Sequence, residues 1–242
     1  MDILLLRFDA PLMSFGGVMI DQHGPIERFP GLSLLTGLFA NALGYRHENT
    51  EQLEKLQDRI EYAARWDVEP ERIVDYHTVD LGQPKMREPG WTTRGEPEHR
   101  AGGPGAKFGT HQRYRHYWVN GVMSVAVTLI GNEEPDLTAL ETALRCPTRP
   151  LFLGRKTCLP AGPLLVGRLD SKDVLAALQQ AGRASLKDRG ISGEAMEACW
   201  PFRLGPLPGA RLESVYDRRD WGNQLHKGSR ARFIGWIREV IE

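Results

Sequence analysis

Ile3-Leu-Leu-Leu-Arg-Phe8 is an apolar run broken only by Arg7. A short continuous run of this kind, rather than a long stretch with a period near 3.6, reads as a buried central strand. Pro11 to Gly31 follows as a loop punctuated by Gly16, Gly17, Gly24 and Pro30. Ser33 stands where a helix cap is wanted, ahead of an apolar face of Leu34, Leu35, Leu38, Phe39, Ala42 and Leu43. Gly44 then offers a left-handed stop. A short second helix is predicted from Asn49 or Thr50 through Leu53 and Leu56. Ile60, Tyr62, Ala64, Trp66 and Val68 recur with period two, which predicts a half-buried strand over 60–68.

Further on, Val119 to Ile130 has the pattern of a strand, and Asp136 caps a helix carrying Leu137, Leu140 and Leu144. Pro147 and Pro150 break the chain before Leu151 to Cys158, and Pro163 to Leu169 reads as another strand. With residues 72–118 set aside as an inserted hairpin, the order is strand, helix, strand, strand, helix, strand. That is an α+β arrangement of the ferredoxin-like type, the platform also used by the RNA recognition motif. From Ser171 onward a helix near Lys172 to Ala181 and strands near Arg211 to Tyr216 and Arg230 to Val240 suggest a small β-rich C-terminal subdomain. The expected division is therefore 1–170, with the hairpin inside it, and 171–242.

Hydrophobic residues at 41% and charged residues at 26% are ordinary for a folded chain of 242 residues. No run approaches the roughly 20 apolar residues of a membrane span, and the first residues begin a strand rather than a secretory signal, so a cytoplasmic protein is expected. Cys146, Cys158 and Cys199 lack the close pairing of a zinc site and are odd in number, which argues for reduced thiols and no metal or other cofactor. The formal net charge is zero, so any contact with nucleic acid must be local rather than a matter of bulk charge.

One region supplies such a patch. Between Asp75 and Trp118 lie Lys85, Arg87, Arg94, Arg100, Lys107, Arg113 and Arg115, interleaved with Tyr76, Trp91, Phe108, Tyr114, Tyr117 and Trp118 and with His77, His99, His111 and His116. Cations neutralise phosphates and rings stack on bases, a pairing suited to single-stranded nucleic acid. A solvated surface loop has a similar composition, and both readings stand. Arg72 to Val79 resembles one arm of a hairpin, with the residues before Tyr117 as its return arm.

Elsewhere, Pro150-Leu-Phe-Leu-Gly-Arg-Lys-Thr-Cys158 sets a glycine and two cations after an apolar run. Gly154 permits close backbone approach, while Arg155 and Lys156 suit a phosphate or simply end a solvated turn. Tyr114, Arg115 and His116 fit metal-independent RNA cleavage or an inert RNA-contacting strand. The histidines have no metalloprotease spacing, Gly16-Gly17 is no nucleotide-binding fingerprint, and no serine-hydrolase elbow is present.

Four pieces in order carry a family resemblance: Ala10-Pro-Leu-Met-Ser-Phe-Gly16, Arg28-Phe-Pro30 leading to Ser33, Asp75-Tyr-His-Thr-Val79, and Leu153-Gly-Arg-Lys-Thr-Cys158 followed by Pro163-Leu164. The chain resembles the CasD subunits of the type I-E CRISPR surveillance complex Cascade. The resemblance implies a ferredoxin-like domain of the repeat-associated RNA-binding superfamily with a thumb-like hairpin. It further implies a subunit that caps the complex and grips the 5′ handle of the CRISPR RNA, with no catalytic role because CasE cuts the precursor. A related alternative is a metal-independent endoribonuclease, as in type I-C systems. Implied partners are the guide RNA, the backbone subunit CasC, the large subunit CasA, the small subunit CasB and CasE, with target DNA reached through the guide. Implied handle contacts are Arg28, Ser33, His77, Gly154, Arg155 and Lys156, with amide donors at the helix start near Ser33. Arg94, Arg100, Lys107, His111, Arg113 and Arg115 join the expected RNA-binding set on composition.

Overall fold

β1 (Asp2–Asp9) buries both of its faces in the computed structural model, which describes residues 1–17, 23–80, 90–91, 97–98, 110–184 and 195–239. Leu4, Leu6 and Phe8 enter one core and Ile3 and Leu5 another, so the unbroken apolar run reflects helices on both sides of the sheet. After β1 come β2 (His23–Gly24), α1 (Leu32–Leu43), α2 (Thr50–Arg59), β3 (Ile60–Val68), β4 (Glu71–Asp80), β5 (Gly90–Trp91) and β6 (Pro97–Glu98). Then follow β7 (Thr110–Val119), β8 (Val122–Leu129), α3 (Leu137–Arg145), β9 (Leu165–Asp170) and α4 (Val174–Gln180). The chain ends with β10 (Met196–Pro201), β11 (Arg211–Val215), β12 (Arg219–Asp220), β13 (Leu225–His226) and β14 (Arg230–Ile237).

Two units divide the chain: Met1–Gly17, Ile26–Ile73 and Tyr117–Glu242 form the first, Val18–Pro25 and Val74–His116 the second. The first is built on a seven-stranded sheet in the order β11-β14-β10-β3-β8-β1-β9, antiparallel at every joint. Helix α1 packs on α2 and α3 over one face, and α4 covers β1, β3 and β8 on the other. Residues 171–242, expected to form a small subdomain, supply α4 and three strands of this same sheet. In the second unit the strand order is β2-β7-β4, and β5 pairs with β6.

Local signals and structure agree where the chemistry is short-range. Asp136 caps α3 by accepting from the Ala139 amide at 2.7 Å, and Gly44 closes α1 in the left-handed region at φ +84°. β3 departs from expectation, because it is buried on both faces rather than one. Its second face carries Glu61, Arg65 and Asp67, charges that alternation alone assigns to water. Each is instead paired inside the protein. Arg65 and Asp67 are fully buried, with Nε to Oδ1 at 2.5 Å. The Arg65 guanidinium also donates to the carbonyls of Leu178 and Ala181 at the end of α4, where the helix dipole favours a cation. Glu61 is gripped by Arg203. Among the described residues no helix is long and apolar enough to cross a membrane.

Candidate nucleic-acid interface

Two separated sequence motifs meet in the first unit. Ser14 donates its amide to Leu153 O at 2.9 Å, Leu153 donates to Cys158 O at 2.8 Å, and Cys158 donates to Arg155 O at 2.8 Å. Residues 151–158 are therefore a closed loop, and their apolar run joins no strand. Pro150 removes one ladder donor, and Leu153 and Cys158 act as buried plugs that hold the loop down. Burial raises the Cys158 thiol above its ordinary pKa and keeps it protonated. Between the plugs, Gly154 turns at φ +112° directly over the Ser14 carbonyl, Arg155 is half-buried and Lys156 is exposed. The Arg155 guanidinium lies 4.8 Å from the centre of the Tyr117 ring.

Beside this loop is a cavity of about 860 Å³ whose lining includes Ser33, Asn41, Tyr45, Phe152, Lys156 and Trp221. Gly154, Arg149, Arg46 and His47 also border it. Rings and aliphatic groups make its walls, and cations stand around them. Arg149 is committed to structure, donating to Asn41 Oδ1 at 2.9 Å and to the Tyr45 carbonyl. Arg46 is exposed, 3.5 Å from Glu48. Lys156 is exposed and has no ion-pair partner among the described residues. An apolar-walled hollow with a free ammonium at its edge has the complementarity to hold an unstacked base and its phosphate.

The expected amide donors at the start of α1 are already taken. Gly31, not Ser33, is the cap residue. The cap itself comes from 185 residues away: Asp217 Oδ2 accepts from the Leu32 amide at 3.0 Å, and its carbonyl accepts from the Ser33 amide at 2.8 Å. Leu34 and Leu35 donate to Gly31 O, each at 3.1 Å. Arg230 grips the same carboxylate with Nε to Oδ1 at 2.8 Å. The helix terminus thus holds an internal anion, and the Ser33 amide is occupied by the Asp217 carbonyl although Ser33 borders the cavity.

The remaining expected contacts disperse. Arg28 is stacked 5.1 Å from the Trp66 ring centre and 5.3 Å from that of Trp118, with Glu197 at 2.6 Å and Glu69 as carboxylate partners. It is a structural hub with its charge already matched. His77 lies in the second unit, its Nε2 2.6 Å from Asp75 Oδ2. Arg113 and Arg115 are on β7, and Arg94, Arg100, Lys107 and the side chain of His111 lie outside the described residues. Tyr114 and His116 share one side of β7, and Arg115 by strand alternation faces the other, so these three do not converge on one phosphate. Among the described residues no group of three His, Cys, Asp or Glu gathers as metal ligands.

Sequence reasoning missed Asp217, Trp221 and Phe152. Asp217-Arg-Arg-Asp-Trp-Gly222 reads as a charged turn, and its docking on α2 rests on distant partners: Trp221 N to Glu54 Oε1 at 2.8 Å, and Gln57 with Arg219 in reciprocal bonds, each of 2.9 Å. The one available signal was a tryptophan in an otherwise polar stretch.

The family profile described as CRISPR-associated protein (Cas_Cas5) matches residues 3–233. The CRISPR system Cascade subunit CasD of Escherichia coli (strain K12) is 27% identical over 229 residues, spanning 90% of this chain and 93% of that one. A chain of a solved structure described as a CRISPR RNA-guided surveillance complex matches with a TM-score of 0.66 at 23% identity, covering 98% of this chain and 90% of its own. A second, described as the crystal structure of a Cas protein, gives 0.61 at 21%, covering 98% and 94%. At these identities the two structures speak for the fold.

Proposed function

Because this chain belongs to the CRISPR-associated Cas_Cas5 family, we propose that it is an RNA-binding subunit of a Cascade-type complex, holding the 5′ handle of the guide without cutting it. The observation that carries the reading is convergence: Ser33, Gly154 and Lys156, singled out from separate motifs, border one ring-walled cavity. Phosphate contacts at Lys156 and Arg155 and an unstacked base in the hollow are the recognition chemistry, since sequence-specific RNA binding favours splayed single strands. Base pairing by the guide then selects the target.

The four strands in the order β9-β1-β8-β3, with α1 after β1 and α3 after β8, support a ferredoxin-like core. On that reading residues 72–118 are an inserted thumb and 171–242 an elaboration of the core. Its cytoplasmic partners are the guide RNA and the CasA, CasB, CasC and CasE subunits, with target DNA met through the guide. The opposed directions of Arg115 and its neighbours Tyr114 and His116 favour a scaffold over a nuclease.

Affinity capture from the native host, with sequencing of bound RNA and mass spectrometry of bound proteins, tests this. Short RNAs with a common 5′ segment and several stable protein partners are expected. A solitary, RNA-free protein defeats the proposal. Cleavage of repeat RNA in EDTA that His116→Ala abolishes replaces it with the nuclease.

A further inference from the structure

Three strands of the second unit bring three rings into a row. His23 on β2 stacks on Tyr114 of β7 with centroids 5.0 Å apart and planes 13° from parallel. Tyr76 on β4 meets the other side of Tyr114 at 5.2 Å and 38°. His116, two residues along β7 and on the same side, is 6.5 Å from His23. The strand order β2-β7-β4 puts Tyr114 in the middle and leaves His23 and Tyr76 on the two outer strands. Both end rings are open to solvent, Tyr76 at 51%, beside Val74, also at 51%.

Cross-strand ring pairs stabilise a small sheet by themselves. A row built for that purpose alone gains most when its ends are covered, and among the described residues both ends are exposed. The ends are ring faces with polar edges, a tyrosine hydroxyl and imidazole nitrogens, rather than a broad apolar patch of the kind that seats a protein partner. Arg113 and Arg115 flank Tyr114 in sequence and by strand alternation face the other side of the sheet, so what the column itself offers a nucleic acid is a surface for the base plane. A nucleobase placed on an end ring extends the row by one plane, and its ribose and phosphate meet the polar ring edges.

We propose that His23, Tyr114 and Tyr76 form a stacking column on which bases of single-stranded RNA end-stack, at Tyr76 and at His23. The proposal rests on the RNA-binding reading above, but its residues are separate from those bordering the cavity. Tyr114 is the positioning ring, and the two end rings touch the bases.

The test measures affinity of the full chain for a short single-stranded RNA and for the same strand with abasic sites, which keeps the phosphates and removes the stacking surface. Tyr76→Ala and His23→Ala are each expected to weaken binding of the intact strand about tenfold and to leave binding of the abasic strand unchanged. Tyr76→Phe keeps near-normal affinity, and Tyr76→Leu, equally apolar but without a π face, behaves like the alanine variant. Photocrosslinking of 4-thiouridine RNA places adducts on peptides containing Tyr76 or His23. Equal losses on intact and abasic strands, or adducts only around Lys156, overturn the column and leave the handle reading in place. Failure of the unaltered chain to bind single-stranded RNA overturns both.

Discussion

A β-carbon added to Gly154 would stand 1.8 Å from the carbonyl oxygen of Ser14. The backbone at Gly154 also has φ +112°, outside the region that side chains tolerate. These two facts explain why a glycine lies between a buried leucine and two cations. The loop passes so close to the 10–16 segment that only a hydrogen fits, and that approach fixes where Arg155 and Lys156 emerge.

Gly154→Ala therefore forces the loop off Ser14. A loss of about 3 kcal/mol is expected, combining left-handed strain with steric overlap, or roughly 6–12 °C in Tm for a chain of this size. Thermal unfolding of the RNA-free protein measures it. An unchanged Tm means that the loop has room to move and that its cations are not fixed by this contact.

Asp217 binds the first turn of α1 to Arg230, so its removal has two costs. Asp217→Ala strips the cap from Leu32 and leaves a mostly buried guanidinium without its carboxylate, which together cost about 3–5 kcal/mol. Asp217→Asn keeps an acceptor for the Leu32 amide and loses only the charge, so it falls between the alanine variant and the unaltered protein. Urea unfolding midpoints of the three proteins provide the comparison. Identical midpoints for Ala and Asn would assign the whole effect to the ion pair and none to the cap.

What was legible in the sequence was whatever depended on neighbours along the chain. The apolar run at Ile3 to Phe8, the cap at Asp136 and the stop at Gly44 are set by residues a few positions apart. The second face of β3 was not legible. Arg65 and Asp67 look like a solvated edge until α4, more than a hundred residues later, is known to present its carbonyl end to Arg65. The same holds at α1, where Ser33 is a good cap by type but Asp217 arrives from the far end of the chain and holds the position. In the candidate interface the motifs identified Gly154 and Lys156, whereas Trp221 entered only through its docking on Glu54.

Arg28 provides a test that separates structure from recognition. Its guanidinium lies against Trp66 and Trp118 and pairs with Glu197 and Glu69. Arg28→Ala is expected to lower the Tm of the RNA-free protein by several degrees, through the stranded, mostly buried Glu197 and the lost ring contacts. Arg28→Lys recovers only part of this, because an ammonium lacks the flat fork that lies against two indoles while meeting two carboxylates. A variant of normal Tm that has lost only RNA affinity would make Arg28 a phosphate contact after all.

Alkaline pH probes the joint between the C-terminal strands and α1. Tyr62 donates to Pro30 O at 2.5 Å and accepts from Arg230 Nη2 at 2.7 Å. Burial pushes its pKa up to about 12, from the ordinary tyrosine value of 10.0. Burial likewise pushes Cys199 up to about 11, from 9.0. Both folded values lie above the unfolded ones, so the unfolded chain releases these protons first. The stability that the protonated groups contribute is complete below about pH 9 and is lost as the pH climbs towards 12, with a slope of up to about 1.4 kcal/mol per pH unit for each group. Cys199→Ala should flatten the lower part of that decline, from about pH 9 to 11, and Tyr62→Phe the upper part, from about pH 10 to 12. Urea midpoints at closely spaced pH values, taken as differences between each variant and the unaltered protein, isolate the two groups from the lysines that titrate in the same range. Parallel pH curves for all three proteins would show that neither group holds its proton more tightly in the folded chain.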